Sequence, residues 1–171
     1  YLGQPDWVQK VLAAHPEAEM YWTEGGPDII DPKYLVDWAK WSKTFAEILR
    51  NGMRCIIGWN IALDENGKPN IGPFPCGGVV TVHSGTNEII RSGQYWGFAH
   101  YSRTFRRGSA VIQSDGEIKD IHHVVAENPD GSRAAVLTNT GSAKRTVWVK
   151  QGKSAVEVSL PGDSVIALGW S

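Results

Sequence analysis

The sequence predicts a chain of two textures, an α/β portion over residues 1–108 and an antiparallel all-β sandwich over residues 109–171. Three observations carry that division. Helix-patterned and strand-patterned stretches alternate up to Gly108, as they do where parallel strands are covered by helices. Arg54 to Ile61 is a nearly continuous apolar run, the pattern of a strand buried on both faces. Beyond Ser109, short β-rich runs are separated by Asp115-Gly116, Asp130-Gly131, Gln151-Gly152 and Pro161-Gly162, the punctuation of a sandwich.

Each element has its own justification. Pro5 in the first turn, with Trp7, Val8, Val11 and Leu12 on one face, predicts a short amphipathic helix that stops near His15-Pro16. Glu19 to Thr23 reads as a brief aromatic strand that Gly25-Gly26-Pro27 ends. Asp31 as N-cap, Pro32 at the first helical position and Gly52 past the last turn bracket a long helix whose apolar positions are Leu35, Trp38, Phe45, Ile48 and Leu49. After the strand at Arg54 to Ile61 comes a Gly- and Pro-rich loop from Asp64 to Gly78, with a turn at Asn66-Gly67. A long loop after a strand is a usual seat of function. Val79 to Val82 and Glu88 to Ile90 suggest a hairpin across Ser84-Gly85, and Gln94 to Arg107 a third helix closed by Gly108. Six sandwich strands follow, at 110–113, 118–126, 133–138, 145–150, 155–160 and 164–168.

Two parallel strands do not make a stable sheet by themselves, and an eight-fold barrel takes about 250 residues. The first part therefore reads as the tail of a larger α/β domain. Periodicity leaves a closed barrel and an open doubly wound sheet equally open, although the absence of a Gly-rich phosphate loop after either strand disfavours a nucleotide site.

Composition narrows the function classes. With 171 residues, 42% hydrophobic and 20% charged, the chain is of ordinary globular type rather than disordered. A net charge of -1 argues against nucleic acid and anionic membranes as partners. No apolar run approaches the roughly 20 residues of a transmembrane helix. Tyr1-Leu2-Gly3-Gln4 lacks a leader's pattern, and a start at Tyr rather than Met leads us to expect an internal piece of something longer. The compartment stays open; a leader upstream would make it secreted or periplasmic. Cys55 and Cys76 have no metal-ligand spacing and are read as plain thiols that do not form a disulfide, so neither a metal nor another cofactor is expected.

Eight tryptophans, five of them in the first third, offer flat faces for sugar rings as well as core. Alternation along the first strand puts Met20, Trp22 and Glu24 on one face. If that face is the inner one, Glu24 lies at the strand's C-terminal end, where barrel enzymes keep catalytic groups. Otherwise Glu24 accepts hydrogen bonds from the Gly25-Gly26 turn. Trp59, near the end of the second strand, is core or a sugar platform. Asp64 and Glu65 read as solvated turn residues, and His122 and His123 as sandwich residues without a third ligand. Arg103, Arg106 and Arg107 read as charge at a helix C-terminus.

The order of motifs is more specific. Tyr21-Trp22-Thr23-Glu24-Gly25-Gly26, Gly58-Trp59-Asn60-Ile61-Ala62-Leu63-Asp64 with Gly67-Lys68-Pro69-Asn70, and Tyr95-Trp96-Gly97-Phe98-Ala99-His100-Tyr101-Ser102 running into Arg107-Gly108-Ser109 resemble glycoside hydrolase family 30, in its glucosylceramidase branch. The resemblance continues through Asn128-Pro129-Asp130-Gly131-Ser132, Val136-Leu137-Thr138-Asn139 and Leu168-Gly169-Trp170. It implies a (β/α)8 TIM barrel with a β-sandwich side domain that cleaves β-glycosidic bonds with retention. Residues 1–108 would then be the barrel's C-terminal portion, with strands seven and eight and helix eight, and 109–171 the side domain. The nucleophile carries over onto Glu24, and Trp59 and Trp22 onto the substrate-binding wall. The family's acid/base, a Glu in an Asn-Glu pair after strand four, has no match here. The implied partners are a carbohydrate or glycolipid substrate and the missing N-terminal half of the same protein, without which the chain is expected to be inactive. The competing reading is a non-catalytic carbohydrate-binding or structural module, which would need neither Glu24 beside two glycines nor the long loop.

Overall fold

The computed structural model describes residues 4–171, so the expectations drawn from Tyr1 to Gly3 lie outside the described residues. Helix α1 (Trp7–Ala14) leads to β1 (Tyr21–Trp22), α2 (Trp38–Arg50) and β2 (Cys55–Ile56). The two strands run parallel, Tyr21 opposite Cys55 and Trp22 opposite Ile56. A small three-stranded sheet follows: β3 (Ala62–Leu63) parallel to β4 (Val80–Val82), which pairs antiparallel with β5 (Ile89–Arg91) as the expected hairpin. Helix α3 (Gly93–Thr104) then starts at Ser92, whose hydroxyl accepts from the Tyr95 amide at 3.2 Å and so satisfies one of the helix's free N–H groups.

The remaining strands are β6 (Ala110–Ile112), β7 (Ile121–Glu127), β8 (Arg133–Asn139), β9 (Arg145–Gln151), β10 (Ser154–Leu160) and β11 (Ser164–Trp170). They form an antiparallel sheet in the order β11-β8-β7-β6 and a β9-β10 hairpin. Leu137, Val147, Val158 and Leu160 fill the space between sheet and hairpin. The sheet's other face packs on the helices through Trp41, Phe45, Ala46, Tyr101, Val124 and Val136. Phe45 is the centre of this second core, with Phe98 4.5 Å, Tyr101 5.6 Å, Trp41 6.1 Å and Trp22 6.2 Å from its ring. Truncating such a ring costs about 3–5 kcal/mol. Within this layer the Ser42 and Thr138 hydroxyls lie 2.7 Å apart and Tyr101 donates to the Ser42 carbonyl at 2.7 Å, while the Trp41 indole N–H has no partner among the described residues. The chain thus has the fold class expected, parallel strands backed by helices and then an antiparallel sandwich.

Three expectations need correction. The apolar run 54–61 is regular strand only at Cys55–Ile56. Its partner strand ends at Trp22, and beyond it the two segments share only the Ile57–Trp22 and Trp59–Gly25 backbone hydrogen bonds. Only the Ile56 side of the run reaches the helix core; Ile57, Trp59 and Ile61 are exposed. The long helix begins at Trp38 rather than after Asp31. The Asp31 carboxylate and carbonyl accept from the Lys33 and Tyr34 amides at 2.8 and 2.9 Å, which closes a turn. Tyr34 is drawn inward, its hydroxyl donating to the Gly78 carbonyl at 2.7 Å, and Leu35 is left exposed. Finally, α3 stops at Thr104, so the helix-end reading holds for Arg103 alone; Arg106 instead pairs with Asp130.

Candidate active site

The site is built around the segment that follows β1, residues 23–27. Ile57 continues the pairing by donating to the Trp22 carbonyl at 2.8 Å, and the Trp59 amide donates to the Gly25 carbonyl at 3.2 Å. A second donor, the side-chain amide of Gln94 in α3, reaches the same carbonyl at 2.8 Å. Glycine is required on both sides of this junction. A Cβ on Gly25 would fall 2.1 Å from the Trp22 ring, and one on Gly26 would fall 1.9 Å from the Trp59 carbonyl oxygen. Glu24, half-buried, immediately precedes this clamped pair at the C-terminal end of β1.

The tryptophans part company. Trp22 pairs with Ile56 and turns with it toward α2, its ring edge-on to Phe45 at 70°. Trp59, beyond the end of β2, is 44% exposed. The Trp22 indole, partly buried, packs on the helix core and lies where a Cβ on Gly25 would stand. The regular strand is only two residues long, so alternation from Trp22 does not extend to Glu24.

The long loop docks beside this segment. Ile29 donates to the Pro75 carbonyl at 2.8 Å and Gly77 to the Pro27 carbonyl at 2.7 Å. Asp64 shapes the loop's start, its carboxylate accepting from the Asn66 and Lys68 amides at 2.8 and 2.7 Å. Glu65 ties it to the β4-β5 hairpin through the Ser84 amide at 2.9 Å and hydroxyl at 2.5 Å. These bonds to the charged form pull the Glu65 carboxyl down to about 2. Cys55 and Cys76 are free thiols. His123 Nε2 accepts from Arg50 at 2.8 Å, and His122 faces Glu47 and Thr140, at 3.8 and 3.4 Å; burial lowers the basicity of both histidines. Among the described residues, no group of three or more His, Cys, Asp or Glu is placed to hold a metal ion, and no helix is long and apolar enough to cross a membrane.

Sequence reasoning took Gln94 only as the start of a helix. Its one available signal was an amide at the second position after an N-cap Ser, and that does not say what the amide would reach.

Comparison with known proteins gives the setting. Residues 108–168 match the model of the glycosyl hydrolase family 30 beta sandwich domain. An endo-1,6-beta-D-glucanase of Neurospora crassa is 28% identical over 81% of this chain and 31% of its own length. A putative glucosylceramidase 1 of Caenorhabditis elegans is 24% identical over 77% of this chain and 27% of its own. The chain thus spans less than a third of the length of these curated relatives. Among solved structures, SrfJ of Salmonella typhimurium superposes with a TM-score of 0.90 at 23% identity, over 97% of this chain and 38% of that one. An endo-beta1,6-glucanase superposes with a TM-score of 0.89 at 26% identity, over 100% of this chain and 40% of that one. Residues 108–168 thus carry the glycosyl hydrolase family 30 sandwich domain, and the likeness to glycoside hydrolases extends over the residues that precede it.

Proposed function

We propose that the chain is the carboxy-terminal part of a retaining β-glycosidase, residues 1–108 closing the barrel and 109–171 forming its side domain, with Glu24 as the nucleophile. The observation that carries this reading is the position of Glu24: a half-buried carboxylate at the C-terminal end of a parallel strand, followed by a glycine pair held by Trp59 and Gln94. Strand ends of that kind are where barrel enzymes place reacting groups.

In the first step the Glu24 carboxylate attacks the anomeric carbon, forming an ester bond to the sugar as the glycosidic C–O bond breaks. A carboxylic acid from the N-terminal half of the same protein gives its proton to the leaving oxygen. Water then cleaves the ester, losing a proton to that second carboxylate and regenerating Glu24. The two carboxyl groups must lie about 5–5.5 Å apart for this sequence. Trp59, exposed and bonded through its amide to Gly25, offers a face for the sugar ring. The names of the glucanase relatives favour a β-linked glucan as substrate, with β-glucosides and glycolipids as the chemical neighbours.

The test is covalent. In the full-length protein, an activated 2-fluoro β-glucoside should esterify Glu24, found by mass spectrometry of the peptide that contains it. Glu24→Gln should lose several orders of magnitude in turnover while keeping its fold, because the amide preserves shape but cannot attack. Labelling of another carboxylate, with Glu24→Gln still active, would refute the assignment.

A further inference from the structure

We propose that Gln94 is a positioning residue for the reacting carboxylate, holding the Glu24-Gly25 backbone from behind the strand; this rests on the reading of Glu24 as nucleophile. Glu24 is followed by two glycines, the residues with the most backbone freedom. Left to itself, that junction would let the carboxylate wander. The Gly25 carbonyl receives two donors. One, the Trp59 amide, comes from the neighbouring strand segment; the other, Gln94 Nε2 at 2.8 Å, comes from a different layer of the molecule.

Gln94 is fully buried, and its Oε1 has no partner among the described residues. Burying an amide with half of its capacity unmet is unfavourable. An apolar side chain of the same size would avoid that cost, so the one bond the amide makes is what distinguishes it from core filling. Its base is rigid. Gly97 packs α3 against Trp41 and Phe45, with a built Cβ only 3.1 and 3.3 Å from their atoms, and the Gly93 amide donates to the Tyr34 carbonyl at 2.9 Å. Gly58 completes the passage. A Cβ there would lie 2.9 Å from the Phe98 ring and 3.3 Å from Gln94 Oε1, so the absent side chain lets the amide pass behind the strand. Gln94 thus ties the segment to the helix layer, at the position where a misplacement of about 1 Å costs on the order of 10²-fold in rate.

The experiment uses the full-length enzyme with an aryl β-glucoside and the 2-fluoro label. Gln94→Met keeps length and apolar packing but cannot donate. It should lower kcat on the order of 10²-fold, leave KM nearly unchanged, and slow esterification of Glu24 in proportion, with the near-ultraviolet circular dichroism of the wild type. Gln94→Glu donates only while protonated. It should recover activity at acid pH and lose it as pH rises, an alkaline limb displaced below the one that ionisation of the acid/base gives the wild type and not produced by a merely structural defect. A folded Gln94→Met with wild-type kcat and labelling rate would overturn the proposal. Should Gln94→Met not fold, Gln94→Glu decides, and a wild-type pH profile would then overturn it. Labelling of a wild-type carboxylate other than Glu24 would instead remove the underlying reading.

Discussion

Gly26 lies directly against the carbonyl oxygen of Trp59, 1.9 Å from where a Cβ would be. This contact joins the segment carrying the candidate nucleophile to the segment carrying the candidate sugar platform. Gly26→Ala must therefore push one away from the other. In the full-length enzyme it should reduce kcat/KM by at least about 10-fold and lower Tm, because the obstacle is backbone and cannot swing aside. Wild-type kinetics for Gly26→Ala would show that the two segments are not coupled.

Trp59→Ala should weaken binding of the sugar and of the transition state. By analogy with loss of one stacking aromatic, the cost is about 1–3 kcal/mol in kcat/KM. The side chain is 44% exposed, so stability should change little. A sharp fall in Tm with unchanged catalytic efficiency would assign Trp59 to packing.

Asn128 is a structural clasp rather than a functional residue. Its side-chain oxygen accepts from the Arg106 amide at 3.0 Å and the Ser109 hydroxyl at 2.6 Å, while its amide donates to the Thr104 carbonyl at 3.2 Å and the Ser132 hydroxyl at 3.0 Å. Asn128→Ala strips partners from the end of α3 and should cost about 1–3 kcal/mol, read by urea denaturation. Specific activity per folded molecule should be unaffected; a selective loss of kcat would contradict this role.

The tie between Glu65 and Ser84 should respond to pH in a defined direction. The Glu65 carboxyl is depressed to about 2 by hydrogen bonds from Ser84. The stabilisation is complete above the ordinary Glu value, near 4.3, and is lost as pH falls through about 2. A carboxyl-carbon NMR titration should therefore find Glu65 still ionised at pH 3. A midpoint at the ordinary value would mean that the loop is not fastened to the hairpin.

The sandwich was the most legible part of the chain. Glycines such as Gly131 and Gly152, both at positive φ, mark turns that few other residues tolerate, and they bracket two strands of seven residues each. Asp31-Pro32 misleads because a turn and a helix start share the same chemistry, and the choice was made by Tyr34 reaching Gly78 across 44 residues. The packing of Trp22 was illegible for a related reason. Which face of a two-residue strand meets the helices depends on Phe45, and no local pattern contains that information. Glu24 and Trp59 were legible as candidates because both lie at strand ends, whereas Gln94 acts through a contact 69 residues away.

Strand β8 is buried from Ala134 to Asn139 without interruption, helices against one side and the β9-β10 hairpin against the other. Such a strand has no layer that can peel off at little cost, so helices and sandwich should unfold in one cooperative step. Its amides should exchange with solvent hydrogen only through global opening. A sandwich cut free at Gly108 would turn Val124, Val136, Val165 and Ala167 from core into water-facing surface, and would aggregate rather than persist as an independent module.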